Sequence, residues 1–376
     1  MRSVRRWLFG LGLLALGQPG CGNDQSPLAK GSSGGAAGRS GQGGKGTGGA
    51  AVLSGGSTVT GTGGRTPDES PGENVLTIVH GVVDAAVIRL CFGKVGVDGA
   101  LPLGVPEPVA GLDYGAALVL RGIAEVDWAS DVQATWVLTG DTQGLDCAAA
   151  VAQAETLGDD QGEVAAGGSG GEGGGPASAI AALRAARLPN VPAGTLSQGR
   201  STLLVANGCI GGRGVDSRLS ANACGDGYSE RAPTLSAVFA ALSRRTDPSK
   251  LGLQVLNASL ASPELDVFAA PASGSPGPSL ITLGAELGTL VPRLPALVGA
   301  AMDYGVSDPD WGVQLSHGGS QLFSEPWQTI VSHAGLTSLS DGKTYALVVL
   351  GPGLGLPLSR TLLWNTSRVA VVPTDP

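Results

Sequence analysis

Leu76-Thr77-Ile78-Val79-His80-Gly81 and Leu253-Gln254-Val255-Leu256-Asn257-Ala258 align without a gap, and this pair of stretches decides how the chain is built. Each is a short apolar run closed by His or Asn and a small residue, the pattern of a strand running into a turn. The match continues through Ile88-Arg89-Leu90 against Leu265-Asp266-Val267. Asp113-Tyr114-Gly115 returns as Asp303-Tyr304-Gly305. Leu196-Ser197-Gln198-Gly199-Arg200-Ser201 returns as Leu339-Ser340-Asp341-Gly342-Lys343-Thr344. Anchors that recur in one order predict a repeat. Its two domains fall near 74–246 and 250–373, with Arg244 to Lys250 as a short polar link.

Around these anchors the chain reads as β. The runs Val75 to Val79 and Val87 to Phe92, split by a Gly/Asp turn region, predict a pair of strands. Further strands are expected at Ala117 to Leu120, Ala134 to Leu138 and Leu203 to Ala206. The alanine-rich stretches Cys147 to Leu157 and Ala177 to Leu188 predict short helices, flanking a glycine-rich insertion over 158–176 that should be disordered. Thr234 to Leu242 has helical propensity, but its repeat partner, Thr361 to Val372, has strand character, and strand is expected for both.

The first residues read differently. Arg2, Arg5 and Arg6 precede an apolar run from Trp7 to Leu16, and small residues lead to Gly20-Cys21. That is the make-up of an export signal over 1–20, too short to span a bilayer. It resembles a bacterial lipoprotein signal, which implies a lipid on Cys21, although Gln18 stands where such signals usually carry Leu. The alternative is an ordinary secretory signal beside a spare cysteine. Residues 21–73 form a tether: 15 of the 34 residues from Gly31 to Gly64 are glycine, too little apolar surface to offset the entropy of ordering. A coil of about 53 residues averages about 40 Å end to end and stretches to roughly 180 Å.

Composition narrows the partners. Removing Arg2, Arg5 and Arg6 from the 23 basic residues leaves 20 against 31 acidic ones, a balance of −11. A surface of that sign argues against nucleic acid and against adsorption to anionic lipid, so membrane contact should come through the N-terminal lipid alone. Four cysteines remain after Cys21, an even number that favours two disulfides in an exported chain, with three possible connectivities. Cys209–Cys224, closing a short Gly/Asn/Asp-rich loop, and Cys91–Cys147 are the favoured pairs. No C-x-x-C spacing exists and the histidines do not cluster nearby, so zinc is not expected.

The second anchor and its continuation, Leu253 to Ser259 and then Pro263-Glu264-Leu265-Asp266-Val267, resemble the opening of the bacterial domain of unknown function 4397 family. His80 and Asp84-Ala85 match parts of that opening in the first copy; Asn257, Ala258, Ser259 and Asp266 match parts in the second. Asp341-Gly342-Lys343-Thr344-Tyr345-Ala346-Leu347-Val348-Val349 resembles the family's glycine turn before a strand. Arg89, where Asp is usual, and the glycine-rich insertion depart from it. The resemblance implies an all-β chain of two tandem immunoglobulin-like β-sandwich domains, of a kind found in cell-surface and envelope proteins, with no established enzymatic activity. Read by their chemistry alone, His80 and Asn257 suit a structural role, hydrogen-bonding the backbone of their own turns.

Catalytic signatures dissolve on inspection. Gly167-Gly168-Ser169-Gly170-Gly171 has the letters of a hydrolase nucleophile elbow but sits in glycine-rich coil, without the strand and helix the elbow needs. Gly342-Lys343-Thr344 ends like a phosphate loop, yet Thr337 stands at the position of its first glycine. His80, His317 and His333 have no ligand spacing, and Asp308-Pro309-Asp310 suits a solvated turn better than a calcium loop. Trp128, Trp136, Trp311, Trp327 and Trp364 could form a platform for an extracellular glycan or protein ligand, but in a chain this poor in aromatics they suit the core. No catalytic residue, cofactor or metal site is expected. The expected role is surface binding or structure in the cell envelope, against two rivals: a secreted hydrolase with carboxylates scattered among turns, and a passive spacer.

Overall fold

The computed structural model describes residues 72–159, 183–196, 199–211, 223–224, 228, 233–260, 265–271, 279–285, 288–317, 319–352 and 366–374. Cys21, the 1–20 and 21–73 segments up to residue 71, residues 160–182 of the glycine-rich region, and Trp364 lie outside them. Eight strands come first: β1 (Val75–Val82), β2 (Val87–Gly96), β3 (Gly99–Asp113), β4 (Ala117–Leu120), β5 (Gln133–Thr139), β6 (Arg184–Arg187), β7 (Ser201–Gly208) and β8 (Ser236–Leu242). Eight more complete the set: β9 (Gly252–Asn257), β10 (Leu265–Pro271), β11 (Ser279–Ala285), β12 (Leu290–Leu297), β13 (Trp311–His317), β14 (Ser320–Pro326), β15 (Thr344–Leu350) and β16 (Arg368–Pro373). Among the described residues the α-helices are α1 (Cys147–Asp159) and α2 (Trp327–His333).

The strands make four sheets of four, ordered β4-β1-β7-β8 and β3-β2-β5-β6 in the first half, β12-β9-β15-β16 and β11-β10-β13-β14 in the second. Adding eight to each strand number turns the first pair of orders into the second. Registers agree as well. The parallel pair β1/β7 sets Val75 opposite Ser201 and His80 opposite Ala206, while β9/β15 sets Gly252 opposite Thr344 and Asn257 opposite Val349. Asp113-Tyr114-Gly115 is the exception: Tyr114 lies between β3 and β4, but Tyr304 closes a 3-10 turn between β12 and β13.

Three apolar layers hold the sheets in a stack. Leu76, Ile78, Leu204 and Ala206 of the first inner sheet meet Ile88, Leu90, Phe92 and Val137 of the outer one. Leu253, Val255, Leu347 and Val371 meet Val267, Val313, Leu315 and Trp327 in the second half. Between the halves, Val79, Leu203, Val205 and Leu242 pack on Leu256, Ala346, Val348, Leu350 and Val372. The two inner sheets are thus covered on both faces. Every residue of β1, β7, β9 and β15 is buried, which is why these strands read as unbroken apolar runs rather than alternating ones.

Two expectations need correction. β1 and β2 do not pair: β1 lies between β4 and β7, whereas β2 crosses to the outer sheet between β3 and β5. The first half of the core forms between them, so one strand must enter each sheet. Ala177 to Leu188 is not a helix where it is described, because Arg184–Arg187 pairs antiparallel with β5. An open sheet edge there outweighs alanine's helical propensity, which tertiary context readily overrides. Of the polar link, Arg244 is buried while Arg245, Thr246, Pro248, Ser249 and Lys250 are exposed.

α1 forms as expected. The Asp146 carboxylate accepts the Ala149 N–H at 2.7 Å, capping the N-terminus. Cys147, Ala150, Val151 and Ala154 then bury one helix face against Ala134, Trp136 and Leu138. The Cys91–Cys147 disulfide fastens the helix to β2, and a second disulfide joins Cys209 to Cys224. Thr234 to Leu242 holds β8, a strand.

Candidate functional site

The chemistry of the described residues concentrates where the two halves meet, around the end of β1. His80 Nδ1 accepts the Val82 N–H at 3.1 Å, closing the turn that leads out of the strand. At the equivalent place in β9, Asn257 Oδ1 accepts the Ser259 N–H at 3.1 Å. Different side chains thus make the same bond two residues ahead, an Asx-type closure. Asp266, the third residue of the motif, is half-buried in β10 opposite Ser316. It joins neither cluster.

From His80 the cluster extends across the junction. The Tyr114 ring stands edge-on to the imidazole, with centroids 5.5 Å apart. The Arg368 guanidinium, from the start of β16, lies 5.6 Å from the Tyr114 centroid and donates to the Tyr114 carbonyl. Glu325 Oε2 accepts the Val369 N–H at 2.8 Å, and His333 Nδ1 lies 3.8 Å from Glu325 Oε1. β14 and α2 deliver these last two groups.

Burial governs the ionisation of this cluster. It pushes His80 down to about 3, with Arg368 acting the same way and the Ala85 backbone opposing, so the imidazole stays neutral near pH 7. Burial raises the Tyr114 phenol, against the pull of Arg368. Glu325 is raised by burial, opposed by the Val369 N–H and by Arg368; His333 is lowered by burial and by Arg368. His80 is wholly buried and Tyr114 nearly so. A neutral imidazole sealed from solvent can hold a turn and pack a ring.

Asp84 forms a second buried site. Its carboxylate accepts the Ile210 N–H at 2.9 Å and the Gly211 N–H at 2.8 Å, with Arg184 3.8 Å away. Burial raises the pKa of its carboxyl, opposed by the Ile210 N–H, Arg184 and the Gly211 N–H. Asp84 thereby ties the turn after β1 to the end of β7, beside the Cys209–Cys224 disulfide.

The described tryptophans are core or core-lining residues. Trp327 is fully buried, its indole donating to the Tyr304 carbonyl at 3.0 Å. Trp136 lies under α1 with the Arg187 guanidinium 5.5 Å from its ring, and Trp128 and Trp311 pack partly buried against the two cores. Asp308 accepts the Asp310 N–H at 2.9 Å in a surface turn. Among the described residues no group of His, Cys, Asp and Glu is placed to hold a metal ion, and no helix is long and apolar enough to cross a membrane. Exposed apolar side chains gather on the β2–β3 hairpin at Val97, Leu101, Val105 and Val109. β3 is an edge strand interrupted by Pro102, Pro106 and Pro108 and by broken register, features that block pairing with a foreign edge.

No family model matches the chain, and no curated protein matches it. Among solved structures it is similar to a proposed cell adhesion protein from Bacteroides eggerthii, with 13% identity over 82% of this chain and 97% of that one. The TM-score is 0.18, too low for any function to pass from that protein to this chain. What fold and site define is a class: an all-β, sandwich-type protein with two disulfides. Those disulfides belong to an oxidising compartment, outside the cytosol or in the envelope.

Proposed function

We propose that the chain is a lipid-anchored protein of the bacterial cell envelope that presents two tandem β-sandwich domains on a glycine-rich tether. Its role is binding or structural rather than catalytic. The observation that carries this reading is the junction itself. His80 is buried and spent on closing the turn after β1, and Tyr114, packed edge-on to it, sits in the layer between the inner sheets and takes the Arg368 guanidinium of the second half. The matching strand orders support a tandem origin, and the resemblance to the domain of unknown function 4397 family agrees with surface display.

Cys21→Ser tests the anchor. The parent chain is expected in the membrane fraction and the variant in the soluble envelope fraction; a variant that stays with the membrane defeats the anchor. The released variant then serves on glycan and peptide arrays. A reproducible ligand class assigns a binding role, and blank arrays leave the structural one.

A further inference from the structure

Gly72, Glu73, Asn74 and Val75 carry the chain into β1, and they are held from several sides. Gly72 N–H donates to the Gly199 carbonyl at 3.4 Å and Val75 N–H to the Arg200 carbonyl at 3.0 Å. Gly199 N–H donates to Asn74 Oδ1 at 2.6 Å. Arg244, from the link between the halves, donates through Nη1 to the Gly199 carbonyl at 2.7 Å and through Nη2 to the Glu73 carbonyl at 2.5 Å. Its guanidinium occupies the space that a Cβ on Gly72 would take, and the residue is only 8% exposed. Arg121 Nε also reaches Glu73 Oε2 at 3.2 Å, but that pair is solvent-exposed and contributes little.

The second half repeats one backbone bond of this arrangement, that of Val75, and replaces the Asn74 side-chain bond with a backbone one. Gly252 N–H donates to the Lys343 carbonyl at 2.9 Å, and Gly342 N–H to the Lys250 carbonyl at 3.0 Å. Those bonds belong to the fold. The Arg244 staple belongs to the place where the N-terminal segment arrives.

Position in the sheet gives the staple a mechanical consequence. β1 is an interior strand, bonded along its length to β7 on one side and from Leu76 to Val79 to β4 on the other. Ladder bonds run across the strand axis, so a pull along that axis loads many of them together. A sideways pull on a loose end would instead peel them one at a time. We propose that Arg244 and Asn74 form a load-bearing clamp, passing tension from the N-terminal tether into β1 along its axis. This rests on the tether reading above, but the two fail separately: fractionation of Cys21→Ser reports the anchor and is blind to the clamp.

The test is single-molecule force spectroscopy on the full mature chain carrying Cys21→Ser, with handles at its N- and C-termini. Arg244→Ala is expected to lose the high-force unfolding events of the parent. Asn74→Ala, a milder change, should show a partial loss and keeps the test open if Arg244→Ala does not fold. A second geometry supplies the control, with one handle at the Val97–Asp98 turn and the other at the C-terminus. There both variants should unfold at the parent's force. High-force events that survive in both variants overturn the clamp. So does equal weakening in the two geometries, which would make Arg244 a stabiliser of the whole fold.

Discussion

The two halves share one strand order and are finished in opposite ways. In the first, β5 and β6 are separated by α1, which lies on the outer sheet and is bonded to it through Cys91–Cys147. In the second, β13 turns directly into β14, and the helix comes later, driving Trp327, Ile330 and Val331 into the core between the sheets. All four cysteines after Cys21 fall in the first half. The first half therefore relies on covalent fastening around small side chains, the second on one large aromatic. A single strand order tolerates either solution because the inner sheets, shared across the junction, set the frame for both.

The sharpest way to break the comparison is Trp327→Ala. The side chain is fully buried and its indole N–H is bonded, so truncation should cost about 3–5 kcal/mol. Because the halves share an apolar layer, thermal unfolding followed by circular dichroism should still show one transition, shifted down as a whole. Two separated transitions, the first half's unmoved, would mean that the halves are stable independently.

The covalent side of the comparison has a graded prediction. Cys91–Cys147 closes a loop with a sequence separation of 56, and Cys209–Cys224 one of 15. In the chain-entropy model the longer closure contributes about 4 kcal/mol and the shorter about 3 kcal/mol. Paired Cys→Ser variants should therefore rank in that order in urea denaturation. Hydrogen exchange sharpens the test: loss of Cys91–Cys147 should deprotect α1, whose docked face offers only small side chains, and leave α2 protected. Equal deprotection of both helices would remove the distinction between the halves.

How much of this was legible in sequence depends on what each signal reports. β1, β7, β9 and β15 stand out as apolar runs because both of their faces are buried, and the aligned motifs reproduce their registers. Sheet membership was hidden. A run, a turn and a second run look the same for a hairpin and for a crossing between sheets, so β1 and β2 read as partners. Arg184-Ala185-Ala186-Arg187 read as helix because propensity knows nothing of the open edge beside β5. His80 and Asn257 were legible as turn-formers, since their bonds reach only two residues ahead. Arg368 was not: its partner Tyr114 is 254 residues away, and an arginine opening an apolar strand carries no mark of what it will meet. Glu325 and His333 were invisible for the same reason.

The smallest change at neutral pH is the one that makes the halves alike. His80→Asn installs the residue that the second half uses at the equivalent place, and asparagine can accept the Val82 N–H as Asn257 accepts that of Ser259. The loss is the edge-on contact with Tyr114, so the cost at pH 7 should be about 1 kcal/mol. Acid separates the two proteins. Burial depresses His80 from 6.5 to about 3, so its contribution to stability is present above pH 6.5 and is lost as pH falls toward 3. Across that window the parent should lose on the order of 4 kcal/mol that the variant does not, the unfolded chain alone taking up the proton. Glu325 and Asp84, both raised by burial, act in the opposite sense, binding protons more readily when folded. They are common to both proteins and cancel in the difference. Urea midpoints measured from pH 7 to 4 on parent and His80→Asn should therefore diverge steadily as acid is added. Parallel curves would mean that the imidazole at the end of β1 already has access to water, and its burial would no longer account for the acid sensitivity.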